Sequence, residues 1–171
     1  ARAGRQAGGE ALGGPTDGAD EPQGQALGAA TIAAFGKLDL LFANAGLAAS
    51  ALLEDFPDLR LFKHTMAVNF YGAVHCTYYA LPHLIRSRGR IVAISSMGGK
   101  APLPYNTPYI SSKFAMHGFF DTLRIELARH GDGIESIFIG HHRRVGSPGQ
   151  FLGEGIRPVF NQFIPLDDFA R

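Results

Sequence analysis

The sequence predicts an α/β domain built on a parallel sheet with helices layered against it. Three observations predict it. Short, nearly all-apolar runs recur at 38–43, 90–95 and 134–139, the pattern of strands buried on both faces. The stretches between them are long enough for a helix and carry apolar residues at helical spacing, which makes βαβ units and therefore parallel strands. Finally, 171 residues with 46% hydrophobic and 18% charged side chains suit one domain with a sizeable core.

Taken in order, residues 1–30 hold eight glycines, with Leu12 and Leu27 as the large apolar side chains. Glycine costs roughly 0.5–1 kcal/mol relative to alanine inside a helix or strand, so residues 1–25 are expected to be a weakly ordered segment. Ala29, Ala30, Ile32, Ala33 and Phe35 then form a short helix, with Gly36 as its C′ residue. The run Leu38 to Ala43 is the first strand, closed by Asn44-Ala45-Gly46. Helical periodicity returns from about 59 to 85, with a bend at the polar Asn69 and a stop before Gly89; Pro82 should bend or end this helix. Arg90 to Ser95 is the second strand, and a loop of small residues and prolines follows it. A helix from about 108 to 129 lays Met116, Phe119, Phe120, Leu123 and Leu127 along one face. The third strand is 134–139, and residues 141–171 are expected to be irregular, with a last apolar patch at Phe160, Phe163 and Ile164.

Composition excludes several classes of function. Sixteen Lys and Arg against fifteen Asp and Glu leave a net charge of +1, which argues against a nucleic-acid partner held by a basic field. The apolar runs are too short for a transmembrane helix, and the opening ARAGRQAGGE has no apolar signal segment. A single cysteine, Cys76, forbids an internal disulfide and suits a reducing compartment, so a cytoplasmic protein is expected. His141-His142 lacks a third ligand at metal spacing, and no metal is expected. His64, His75, His83, His117 and His130 read as surface or helix-packing residues.

In parallel sheets ligands bind beyond the carboxyl ends of the strands. Here those ends offer Asn44-Ala45-Gly46, small enough for a flat ligand to approach the backbone, and Ser95-Ser96. The next helix opens with Tyr109-Ile110-Ser111-Ser112-Lys113. Residues four apart sit about 40° apart around a helix, so Tyr109 and Lys113 share a face. An ammonium beside a phenol favours the phenolate, and a serine nearby can hydrogen-bond the same substrate oxygen. Such a group exchanges protons with an alcohol or carbonyl and needs a hydride carrier beside it.

The pieces ANAG at 43–46, VNFYG at 68–72, IVAISS at 91–96 and YISSK at 109–113, with a serine thirteen residues before the tyrosine, resemble the short-chain dehydrogenase/reductase family. The wording of ISSMGGKAPLP and SSKFAMHGFFDTLRIEL is similar to the subgroup containing the 11β-hydroxysteroid dehydrogenases. The resemblance implies a Rossmann-like, doubly wound sheet over a single domain, and a catalytic tetrad of Asn69, Ser96, Tyr109 and Lys113. Tyr109 would be the general acid/base and Ser96 the donor to the carbonyl. Lys113 would tune Tyr109 and hold the nicotinamide ribose, and Asn69 would hold a water of the proton relay.

The resemblance also implies NAD or NADP as cofactor, bound by Asp17 at the adenine, by Asn44, Ala45, Gly46, Tyr109 and Lys113, and by Ser147 in place of a family threonine. The substrate would be a small-molecule alcohol or ketone. The helices near 59–85 and 109–129, with Phe70, Tyr71, Tyr78, Tyr79, Phe114, Phe119 and Phe120, would pair across a two-fold axis in a homo-oligomer. Set against the family pattern, the sheet is incomplete: the first strand–helix–strand and its TGxxxGxG phosphate loop have no counterpart, and no GxxxGxG occurs before Asn44. Two functions follow as expectations: an alcohol/ketone oxidoreductase, or a truncated homologue without catalysis that is an interaction module or an incomplete gene product.

Overall fold

The computed structural model describes residues 10–48 and 50–130, with the backbone of 135–141 and 162–164. Residues 10–20 are irregular, closed by a turn at Gly18-Ala19. Helix α1 (Glu21–Phe35) begins well ahead of the Ala29–Phe35 stretch that the apolar residues mark. Asp20 supplies the start, its carboxylate accepting the Gln23 N–H at 3.1 Å. Gly36, at φ 74°, supplies the stop and donates its N–H to Ile32 O at 2.8 Å. The glycines that weaken this helix on paper let it approach its neighbour. A side chain at Gly24 would already touch His75 Cβ at 3.4 Å.

Strand β1 (Leu40–Ala43) leads to a helical segment in three parts: α2 (Arg60–Met66), a π-helical turn at Ala67–Tyr71, and α3 (Gly72–Ser87). The bend expected at Asn69 is this π turn, with Asn69 at its centre. Pro82 does not end α3, which runs on to Ser87. Its missing N–H costs one rung, on an exposed face where water can serve the freed carbonyl. Strand β2 (Arg90–Ser96), helix α4 (Thr107–Leu127) and strand β3 (Glu135–His141) complete the alternating pattern.

The strands β1, β2 and β3 are parallel, with Leu41 opposite Ile91 and Ala43 opposite Ala93. A fourth strand, β4 (Gln162–Ile164), pairs antiparallel with the outer edge of β1, giving the order β3-β2-β1-β4. The sequence pattern reads this segment as irregular. Its three residues are too few for a period, and the partner edge that orders them is distant in sequence. The core unites Leu41, Ala43, Ile91 and Ala93 with Ala73, Cys76, Ala80 and Leu84 of α3 and Met116, Phe120, Leu123 and Leu127 of α4. Both helices therefore cover the same face. Crossovers of one hand that step in one direction across a sheet lay their helices on one side. The helix layer expected on the opposite face is not found among the described residues.

Candidate active site

The carboxyl ends of β1 and β2 and the first turns of α4 converge. Ser96 ends β2, and its Oγ accepts the N–H of Gly98 at 3.1 Å, opening a single 3₁₀ turn over Met97–Gly99. Gly98 lies between Ser96 and Tyr109. A side chain there would stand 3.5 Å from Ser96 Oγ and 3.7 Å from Tyr109 Cε1, and would collide with Ile110 Cδ1. A side chain at Gly98 would require Ile110 to move and would sit in contact with both Ser96 and Tyr109. Ser96 and Tyr109 are half-buried and reachable from solvent.

Helix α4 is anchored at its start by Asn106, whose Oδ1 accepts from Ser50 Oγ and whose Nδ2 donates to Pro104 O, both at 2.9 Å. Pro108 preorganises the first turn. One turn on, Lys113 is 4% exposed. Its Nζ donates to Ile94 O at 2.9 Å and lies 5.7 Å from the centre of the Tyr109 ring. Burial penalises the ammonium and pushes its pKa down to about 8.

Behind them, Asn69 is fully buried. Its Oδ1 accepts the Leu47 N–H at 2.8 Å, while Nδ2 donates to Leu47 O and to Ser112 Oγ, each at 2.9 Å. Ser112 Oγ in turn donates to Tyr109 O at 2.7 Å. Gly46 closes the group. A side chain there would lie 3.4 Å from Asn69 Oδ1 and 3.8 Å from Lys113 Nζ.

Asn69, Ser96, Tyr109, Lys113 and Gly46 are thus brought together, with Asn44 and Ala45 on the loop that leads to Gly46. Asp17 is not tied to this cluster by any described hydrogen bond. Its Oδ1 accepts the Ala19 N–H at 2.9 Å and its own N–H donates to Gln23 Oε1 at 2.8 Å, so it shapes the turn before α1. Ser147 lies outside the described residues. Sequence reasoning gave Ser112 no role, offered Ser95 only as a strand-end residue beside Ser96, and read His117 as a surface or helix-packing histidine, without the contact between Ser95 and His117. A small polar residue beside Lys113, one position off the Tyr–Lys face, was the available signal for the first. The other two meet across twenty-two residues and leave no local pattern.

Residues 1–141 match the family model described as short chain dehydrogenase. The chain belongs to that family. Among curated short-chain dehydrogenases, it is 48% identical over 98 residues to the 11-beta-hydroxysteroid dehydrogenase-like 3 of Arabidopsis thaliana, covering 57% of this chain and 32% of that one. It is 40% identical over 142 residues to 11-beta-hydroxysteroid dehydrogenase-like 4A of the same plant, covering 82% and 46%. Among solved structures it is similar to an NAD+-bound xylitol dehydrogenase, at 30% identity and TM-score 0.74, covering 80% of this chain and 52% of that one. A short-chain dehydrogenase/reductase from Burkholderia phymatum, in complex with NAD, matches at 31% identity and TM-score 0.73, covering 78% and 48%. The chain thus spans about a third to a half of the length of these relatives. As in them, its sheet is Rossmann-like. No helix among the described residues is long and apolar enough to cross a membrane.

Proposed function

We propose that this chain carries the catalytic half of an NAD(P)-dependent oxidoreductase that interconverts an alcohol and a ketone. The observation that carries the reading is the juxtaposition of Ser96 Oγ and the Tyr109 ring, both within contact of Gly98, with the Lys113 ammonium 5.7 Å from the ring centre. In the reducing direction Tyr109 Oη gives a proton to the substrate oxygen, and in the oxidising direction it takes one back. Ser96 Oγ has an acceptor site engaged by the Gly98 N–H, which leaves its hydroxyl hydrogen to donate to the same oxygen. Lys113 would keep positive charge beside the phenol and would meet a ribose hydroxyl. Asn69 acts one step back, holding Leu47 and Ser112.

Nicotinamide, when bound, supplies or removes the hydride. The residues present fit its half of the dinucleotide. A side chain at Gly46 would fill the space over Asn69 and Lys113, and Asn44, Ala45, Gly46, Tyr109 and Lys113 are the residues that would hold the nicotinamide end. A second reading, in which the chain serves as a non-catalytic interaction module, rests on the exposed apolar residues of its helices. Titration of the chain with NADH and NADPH, followed by nicotinamide fluorescence, separates the two. Binding at micromolar strength supports catalysis within this chain; no binding below millimolar supports the module. Exposed Tyr71, Tyr78, Phe114 and Ile125 on α3, α4 and the π turn favour self-association through these helices.

A further inference from the structure

Ser95 and His117 are buried together beneath the turn that carries Ser96, and the mechanism above uses neither. Ser95 Oγ lies 3.1 Å from His117 Nε2, and Asp121 Oδ2 lies 3.8 Å from His117 Nδ1. The order Ser–His–Asp suggests acyl transfer, but the geometry opposes it. Ser95 is 2% exposed, and a side chain at Gly99 would stand only 2.8 Å from its Oγ, so no substrate carbonyl can approach. The same glycine rests on the imidazole, its would-be side chain 2.6 Å from Cδ2 and 2.8 Å from Nε2. The turn Met97–Gly99 is therefore seated at two points: Gly98 against Ile110 and Tyr109, and Gly99 on His117 and Ser95.

We propose that His117 is a positioning residue for Ser96, which it holds through Ser95 and Gly99; the catalytic importance of this rests on the oxidoreductase reading above. With the Asp121 carboxylate 3.8 Å away on the Nδ1 side, the tautomer protonated on Nδ1 is the one favoured, and it leaves Nε2 to accept the Ser95 hydroxyl. The second proton of an imidazolium would sit on Nε2 and turn that acceptor into a donor, so the Ser95 hydroxyl hydrogen would have to rotate towards another partner while its oxygen accepts. Burial opposes that protonation and lowers the His117 pKa from its ordinary range. Lys100 beside the turn and Lys113 on α4 oppose it further, and Asp121 favours it. Arg124, 3.9 Å from Asp121, draws part of that carboxylate's charge.

The Gly98 N–H reads the outcome directly, because it donates to Ser96 Oγ. Hydrogen exchange at the Gly98 and Lys100 amides is measured on the whole chain, its His117→Leu variant and its His117→Gln variant, with Val92 and Ala93 of β2 as internal references. His117→Leu has the right bulk and no acceptor, and should raise Gly98 exchange about tenfold. His117→Gln restores an acceptor near the Nε2 position and should stay within about threefold of the parent, with β2 unchanged in all three. In the parent, Gly98 exchange corrected for intrinsic rates should rise as pH falls below about 6.5, and the step should vanish in His117→Gln. If the leucine variant fails to fold, that pH step against the glutamine variant decides. Equal protection in both variants, equal loss in both, or a parent without the step overturns the proposal. Coenzyme oxidation is assayed separately. In a form of the protein that turns over coenzyme, full activity in Tyr109→Phe refutes the tyrosine's catalytic role, while a His117-dependent Gly98 leaves the coupling standing.

Discussion

Ser112 stands between Asn69 and Tyr109, accepting from the first at 2.9 Å and donating to the carbonyl of the second at 2.7 Å. Through it the π turn before α3 is tied to the first turn of α4, and through Leu47 to the loop after β1. The site is held by backbone and buried amide more than by its exposed groups.

Replacing Asn69 by alanine leaves the buried Leu47 N–H and carbonyl without their partners, together with one partner of Ser112. An unsatisfied buried group costs roughly 1–3 kcal/mol, so Asn69→Ala should lower stability by at least that amount and Ser112→Ala by less. Urea unfolding of the three proteins measures it. A loss below about 0.5 kcal/mol for Asn69→Ala would show that the network holds little.

Lys113 should trade stability for function. Its folded pKa of about 8 lies below the unfolded value of 10.5, so the unfolded chain binds the extra proton between these values. The cost of burying the ammonium is full below pH 8 and fades as pH rises towards 10.5. Lys113→Met, which keeps the bulk and removes the charge, should therefore be more stable than the parent at pH 7 by about 1–3 kcal/mol, with a smaller gap at pH 10. Denaturation at both pH values checks the sign. A variant less stable at pH 7 would mean that the bond to Ile94 O outweighs burial.

In any form of the protein that oxidises or reduces a nicotinamide coenzyme, Tyr109→Phe should lower kcat by about 10²–10⁴-fold with little change in coenzyme affinity. Ser96→Ala should do the same to a smaller degree, and Lys113→Met should impair both quantities. Steady-state kinetics with parallel binding titrations separates them. Near-full activity in Tyr109→Phe would remove the tyrosine from its assigned role.

Tyr78 and Phe114 are 69% and 45% exposed on neighbouring helices. If these faces pair between copies, Tyr78→Glu with Phe114→Glu should shift the chain to monomer in sedimentation at micromolar concentration, with its circular dichroism unchanged. A parent that is already monomeric there would count against self-association.

Much of this was legible along the chain. The three parallel strands and α4 announce themselves because buried strands and amphipathic helices leave periods that a few neighbouring residues reveal. That Tyr109, Lys113, Ser96 and Asn69 lie near one another was readable from their motifs and the family resemblance those carry. The beginning of α1 was not. Its glycines argue against a helix locally, and the decision is made by His75 and Tyr79 on α3, far along the sequence. β4 is hidden for the same reason, since three residues take their conformation from the edge of β1. Ser95 and His117 meet only once the sheet and α4 are packed. Contacts between elements carry no local signature, and they fix how a site is held more than which residues form it.

The π turn at Ala67–Tyr71 acts as a phase shifter. α2 packs against α4, whereas α3 packs against α1 and β1, and one uninterrupted α-helix would lock the azimuth of the first face to that of the second. One residue corresponds to about 100° of rotation. The wider π turn absorbs one residue; the same residues wound as regular α-helix would swing every side chain beyond it out of phase, Cys76 and Leu84 leaving the core together. The apparent irregularity is a gear between two packing surfaces.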